Sequence, residues 1–412
     1  MGRESLRNAE ACLLPYVAPM ANDRALEQHI AVFGESGSGK TVLLSSFYGA
    51  AQESSNKKRS GFHVLAEDPG QGTQLRKSFL GMKNSGALPA ANHFRSTAYS
   101  FLVQPIIDPA AKPAKSSGVD HLRLVWHDYP GEWFEQDVSG PEEAKRKVET
   151  FRALLSSDVA LLLVDAQRLL DNSGEEERYL KSLLTSFTNG LLLIKADLLE
   201  DDEPLARFPR IWTLALSKSD LLPDMNVSAF ADLLIEKAGD DISELRTVLG
   251  GLVAESEALS VGEDFVLLSS AKFTPGEIQV NERVGVDLLL PIAAVLPFER
   301  KLKWAEKLKN RGKVAAELMG GVGVLAGALG GVGALAALIG AKGKGKLAGA
   351  LLLGLGLFGS KLEEAAKVGG DKLKAVHADA VAKHDSIRAT LTEFAIELEK
   401  AEADGILIRS PR

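Results

Sequence analysis

The run Gly34-Glu35-Ser36-Gly37-Ser38-Gly39-Lys40-Thr41 limits this chain more than any other segment, because it fits the phosphate-cradling pattern G-x-x-x-x-G-K-[ST] at every fixed position. His29-Ile30-Ala31-Val32-Phe33 before it reads as a short buried strand, and Val42-Leu43-Leu44-Ser45-Ser46-Phe47 after it reads as the first turns of a helix. Only small residues let consecutive backbone N–H groups close around a phosphate, and the helix N-terminus adds the positive end of its dipole. Lys40 is placed to reach the outer phosphates and the Thr41 hydroxyl to take one position on Mg²⁺; residues 34–42, through Val42, form the cradle. The motif implies a nucleoside triphosphate site inside an α/β domain.

The flanking sequence supports that architecture. Apolar runs at Thr97–Gln104, Leu122–His127, Val159–Asp165, Ile211–Ser217 and Phe265–Ser269 alternate with helical patterns, as in a doubly wound, mostly parallel sheet. A Pro/Ala/Lys/Ser stretch at 107–118 reads as a surface loop joining two neighbouring strands. The 412 residues suffice for a large core plus an appendage, and the net charge of −7 argues against general nucleic-acid binding. A single cysteine, Cys12, excludes an internal disulfide framework and points to a reducing, cytoplasmic setting. No charged-then-apolar leader is expected before the cradle, and Leu6 occupies the Ser/Thr position that N-myristoylation requires.

A second carboxylate at a strand end is needed to hold the metal. Asp128 supplies it in Asp128-Tyr129-Pro130-Gly131-Glu132, where the order D-x-x-G also lets the Gly131 N–H meet the γ-phosphate, so that loss of that phosphate releases the loop. Further on, the apolar strand at 211–216 ends in Ser217-Lys218-Ser219-Asp220, and the strand at 265–269 leads into Ser270-Ala271-Lys272.

In these motifs the chain resembles the translation-factor-related (TRAFAC) class of P-loop GTPases, whose base-reading motif is N/T-K-x-D, with Ser217 here in the first place. The resemblance implies that Asp220 accepts hydrogen bonds from guanine N1–H and N2–H, that the Lys218 stem lies along the base, and that the Ser270-Ala271-Lys272 backbone meets guanine O6. Asp128-Tyr129-Pro130-Gly131-Glu132-Trp133 is similar to the switch II signature of bacterial YcjX-like GTPases and of related GTPase domains in bacterial conflict (antiviral defence) operons; the likeness covers roughly residues 28–272. It implies GTP/GDP and Mg²⁺ as cofactors, with Thr41 and Asp128 on the metal. Switch I is open: Gly86-Ala87-Leu88-Pro89 is not followed closely by a threonine, which leaves Thr97 or Thr73. Glu132 stands where Ras-like relatives carry a water-orienting Gln, and either acts on the attacking water or faces solvent. Arg95, or a partner, is the candidate arginine finger, and intrinsic hydrolysis is expected to be slow.

Composition changes near Pro297, giving an N-terminal extension at 1–27, the GTPase domain at 28–297, a basic helix at 298–317, a Gly-rich apolar hairpin at 318–360 and an amphipathic helical tail at 361–412. Arg300 to Lys313 holds seven Lys/Arg against one acid; Leu318 to Ala341 then runs 24 residues without charge, with Gly323, Gly327 and Gly331 at four-residue spacing. Such spacing suits close-packed helices. After Lys342-Gly343-Lys344-Gly345-Lys346, a second uncharged run of 14 residues ends at Ser360. The hairpin either packs on protein or enters an anionic membrane from the cytoplasmic side, where the preceding cations suit the headgroups. The tail presents an apolar stripe that wants a helical neighbour, in this chain or in another subunit. Two functions are therefore compatible with the sequence: a slowly hydrolysing GTP switch coupled to a membrane surface or partner protein, or a membrane-active effector whose hairpin is gated by nucleotide.

Overall fold

The computed structural model describes residues 25–54, 61–89, 97–106, 121–129, 140–199, 203–205, 208–274, 277–307, 374–375, 377–382 and 385–410. The P-loop strand β1 (Ala25–Phe33) lies at the centre of an eight-stranded sheet, with β4 (His121–Asp128) parallel on one side and β5 (Val159–Asp165) parallel on the other. Beyond β5 come β6 (Ile211–Ser217) and β7 (Ser260–Leu267), both parallel. Every residue of β5 and β6 is buried, which explains why both read as unbroken apolar runs: helices cover both faces of a parallel sheet.

On the other flank β3 (Thr97–Pro105) runs antiparallel to β4, and β2 (Phe62–Ala66) runs antiparallel to β3 at the edge. The two strands on either side of the 107–118 stretch are thus neighbours, as expected. The short edge strand β2 was not legible, since its residues show no apolar-polar alternation in burial: all are half-buried except a single buried Val64. A two-stranded ribbon, β8 (Lys272–Thr274) with β9 (Glu277–Gln279), follows β7.

Side-chain alternation along β1 divides the core into two layers. Leu26, Ile30 and Val32 pack with α1 (Lys40–Ala51) and with the two C-terminal helices described below; Ala31 and Phe33 pack toward the opposite layer. Helix α2 (Pro69–Ser85) lies against α1, starting at Asp68, whose side chain accepts from the amides of Gly70 and Gln71. The opposite layer holds α3 (Pro141–Leu154), α4 (Ala166–Asp171), α5 (Glu176–Leu193), the short α6 (Lys195–Leu198) and α7 (Val227–Gly250).

Helix α8 (Leu289–Lys307) continues through Pro297, and Phe298, Arg300 and Trp304 beyond it are buried. The Arg300 guanidinium is paired at 2.5 Å with Asp264 of β7, which is fully buried and also accepts from the Ser410 amide at 2.9 Å. Helix α9 (Ser386–Ala403) packs on α8, and β10 (Leu407–Ile408) then pairs antiparallel with β7 to close that edge of the sheet. Arg409, nearly inaccessible, bridges Glu299 of α8 and Glu402 of α9. The last part of the chain is therefore stitched to the sheet by buried ion pairs as well as by apolar contacts. The 318–360 run lies outside the described residues; among those described, no helix is long and apolar enough to cross a membrane.

Candidate nucleotide-binding site

The C-terminal ends of β1, β4, β5 and β6, together with the loop after β7, bring the sequence motifs to one edge of the sheet. In α/β sheets this is where ligands bind, because the strands end there and helix N-termini begin. The cradle starts at Gly34, where an added Cβ would come within 2.7 Å of Ser38 Oγ and 3.0 Å of Leu163 Cβ. Gly37 (φ 79°) and Gly39 (φ 93°) adopt the left-handed region that side chains resist, so the local chain path requires glycine at both. Gly39 caps α1, placing Lys40, Thr41 and Val42 in its first turn.

Lys40 is folded into its own loop. Its Nζ donates to the carbonyls of Gly34 (2.7 Å) and Glu35 (2.9 Å) and sits 5.1 Å above the ring of Tyr129. Ser38 N–H also donates to the Glu35 carbonyl (3.2 Å), while the buried Ser38 hydroxyl has no hydrogen-bond partner among the described residues. Ser36 is half-buried in the same loop, and the Glu35 side chain pairs with Arg168 of α4 at 3.2 Å. The tyrosine that follows Asp128 joins this cluster: Tyr129 Oη accepts from the Gly34 amide (2.8 Å) and donates to the Gly34 carbonyl (3.0 Å).

Asp128 ends β4 on the face that Trp126 presents to Phe47 of α1, so its carboxylate lies in the layer of the helix that carries Thr41. Both carboxylate oxygens are buried. A carboxylate and a hydroxyl are hard oxygen donors of the kind Mg²⁺ prefers, so the residues present fit that ion. Thr97 is the register partner of Asp128 on β3, whereas the Thr73 hydroxyl, in α2, donates to the Pro69 carbonyl in its own helix. Nearby, burial and the Asp128 charge push the Tyr99 phenol above its ordinary range. Gly131, Glu132 and Arg95 lie outside the described residues.

The base-reading residues form a second cluster. Ser217 ends β6 with its hydroxyl on the Val164 carbonyl (3.2 Å), and Lys218 turns in the left-handed region (φ 55°) with its Nζ 2.7 Å from Asp165, the last residue of β5. Asp220 Oδ1 accepts from Ser269 Oγ (2.7 Å) and Oδ2 from the Phe273 amide (3.2 Å). The Ser270-Ala271-Lys272 segment is therefore tied to the carboxylate through its neighbours on both sides. Ala271 is fully buried, the Ser270 carbonyl accepts from Ser46 of α1 (2.7 Å), and Lys272 turns outward to Glu282 (3.2 Å).

Three positions escaped the sequence reading: Tyr129, Asp165 and Ser269. For Asp165 a signal was present, because an apolar strand ending in a carboxylate marks a strand end at the site; for Tyr129 and Ser269 none was.

No family model matches the chain, and no curated protein matches it. Among solved structures it is similar to the signal recognition particle receptor SRb-GTP/SRX complex from Chaetomium thermophilum, at 18% identity over 60% of this chain and 93% of that one, with a TM-score of 0.29. It is also similar to the S. cerevisiae Ski7 GTPase-like domain bound to GTP (15% identity, 60% and 43% of the two chains, TM-score 0.25). A bacterial dynamin pair that tethers membranes matches at 15% identity over 92% and 69%, with a TM-score of 0.26. These values are too low to assign an activity; the strand–loop–helix at Gly34–Thr41 in the middle of a mostly parallel sheet makes this a P-loop α/β fold.

Proposed function

We propose that this chain is a guanine-nucleotide switch that hydrolyses GTP slowly with Mg²⁺. One observation carries the reading: the Asp220 carboxylate is held by Ser269 and the Phe273 amide on the same sheet edge as the Gly34–Thr41 cradle. A carboxylate has about four acceptor positions, so the two donors already present leave room for the paired N–H groups that guanine offers and adenine lacks. Lys218, steadied by Asp165, lies along the base, and the Ala271 backbone faces guanine O6. Lys40 and the cradle amides hold the phosphates; Thr41 and Asp128 would hold Mg²⁺, which when bound would supply positive charge against that developing on the phosphates. Gly131 senses the γ-phosphate and Glu132 orients the attacking water.

Titration with GTP and ATP in the presence of Mg²⁺ tests the assignment. A site that leaves the remaining acceptor positions of Asp220 desolvated and without donors rejects the wrong base by up to about 10⁴-fold. Equal affinity for the two nucleotides refutes it.

In this reading the C-terminal elements transmit the nucleotide state to a membrane surface or a partner protein through the 318–360 run, in a bacterial stress or defence setting. Its support is sequence: 24 uncharged residues with glycines at four-residue spacing follow seven cations. Sedimentation with anionic liposomes, in GDP and in a slowly hydrolysed GTP analogue, tests it. Protein that stays in the supernatant in both states removes the membrane branch.

A further inference from the structure

We propose that Arg168 is a positioning residue of the triphosphate site, which cancels the charge of a carboxylate built into the cradle and so lets phosphates bind beside it. This role rests on the P-loop reading above and deepens it. The cradle carries Glu35 as its second residue, between Gly34 and Ser36. The Glu35 carbonyl accepts from the Lys40 ammonium at 2.9 Å, and the Glu35 side chain is only 17% exposed, so its charge stays near the group that holds the phosphates. An uncompensated carboxylate there repels the anion the cradle is built for, and at that burial solvent and salt screen it little.

Arg168 comes from another element and is fixed where it meets that charge. Asp165, the last residue of β5, caps α4 by accepting from the Gln167 amide (2.9 Å), while its own amide donates to the Tyr179 hydroxyl (2.9 Å). The Arg168 carbonyl accepts from the Asn172 amide (3.1 Å) and side chain (2.8 Å), and Leu169 beside it is buried. From this turn the guanidinium reaches Glu35 at 3.2 Å. Strand β5 lies between β1 and β6, so the first turn of α4 stands between the cradle and the base-reading loop. Each carboxylate there is matched by a cation: Glu35 by Arg168, and Asp165 by Lys218 at 2.7 Å. Burial, together with the Glu35 and Asp165 charges, pushes the Tyr179 phenol up while Arg168 opposes them, so all three charges act on that one ring.

Removing the cation, and then the carboxylate, separates charge from packing. One unit charge about 10 Å from another, at the effective dielectric of a protein surface, changes an equilibrium about tenfold. Arg168→Gln should therefore bind a slowly hydrolysed GTP analogue about tenfold more weakly, and GDP, which carries less charge, only about threefold more weakly. The Arg168 side chain is 41% exposed, so the fold should survive its loss. Glu35→Gln, with Arg168 in place, should bind the analogue at least as tightly as wild type, and the double variant should recover most of the tenfold loss. Titrations at constant Mg²⁺ and salt measure all four proteins. Unchanged affinity in Arg168→Gln, or equal losses for the two nucleotides, overturns the proposal. So does a double variant as weak as Arg168→Gln, which gives the arginine a packing role or a contact of its own with the nucleotide. Weaker binding in Glu35→Gln also overturns it, an outcome that is readable even if the arginine variant folds poorly. A wild-type chain that binds neither nucleotide sinks instead the reading of the whole site.

Discussion

Replacing Asp220 by Asn is the sharpest probe of base recognition, and the surrounding hydrogen bonds dictate how the new amide must sit. Oδ2 faces the Phe273 amide, which can only donate, so the Asn NH₂ cannot occupy that place without opposing two donors. Oδ1 faces the Ser269 hydroxyl, which can rotate to accept there while donating its O–H to the Ala271 carbonyl 2.7 Å away. Asn therefore settles with its oxygen toward Phe273 and its NH₂ toward Ser269, and the empty protein should lose no more than about 1 kcal/mol of stability. Guanine meets a different outcome. One charge-assisted bond is lost and one base N–H now opposes an amide donor, together about 3–5 kcal/mol, or roughly 10²–10⁴-fold in affinity. Xanthine, with a carbonyl in place of the 2-amino group, complements the amide and should gain. Competition titrations of GDP and XDP against a fluorescent guanine nucleotide, with thermal melts as the control, measure both effects. GDP affinity within threefold of wild type, with no gain for XDP, would refute the argument.

Lys40→Ala should abolish tight triphosphate binding, because the ammonium neutralises phosphate charge in the ground and transition states alike; Glu132→Ala should leave affinity intact and lower kcat, and unchanged turnover would assign that residue to solvent. Arg300→Met strands the buried Asp264 carboxylate without its cation and should destabilise the fold by about 3–5 kcal/mol in a denaturant titration, an effect that a second change, Asp264→Leu, should partly reverse. At acid pH the chain should lose a small increment of stability through Glu27, whose carboxyl is held below its ordinary range by the hydrogen bond from His29 and by Arg123. Because the folded-state pKa is the lower one, that increment is present above the unfolded value and disappears as the pH falls from about 5 to 3. With the Glu27 side chain 45% exposed it amounts to less than about 1 kcal/mol, and Glu27→Gln should flatten the slope of stability against pH in that window.

Val159–Asp165 and Ile211–Ser217 were legible residue for residue, because strands buried on both faces must be apolar throughout and must stop where the sheet ends. The next strand was not: Phe265–Ser269 was expected, and Ser260–Leu267 is observed. The Gly262-Glu263-Asp264 segment looks like a turn until Arg300, from a helix far along the chain, supplies the charge that lets Asp264 be buried in a strand.

The same division runs through the site. The cradle was readable by sequence alone because its constraints are local: Gly37 and Gly39 need φ angles that other residues resist, and Gly34 leaves no space for a Cβ. The strand-end positions of Asp128 and Asp220 could be read in the same way, since hydrophobic runs stop beside them. Their working environment could not. That Lys218 is steadied by Asp165, Asp220 by Ser269 and the Phe273 amide, and Gly34 by Tyr129 depends on which strands become neighbours. Sequence dictates the conformation each short segment can adopt, but hydrogen bonds between residues 53 or 95 positions apart exist only once the sheet order has brought their strands together.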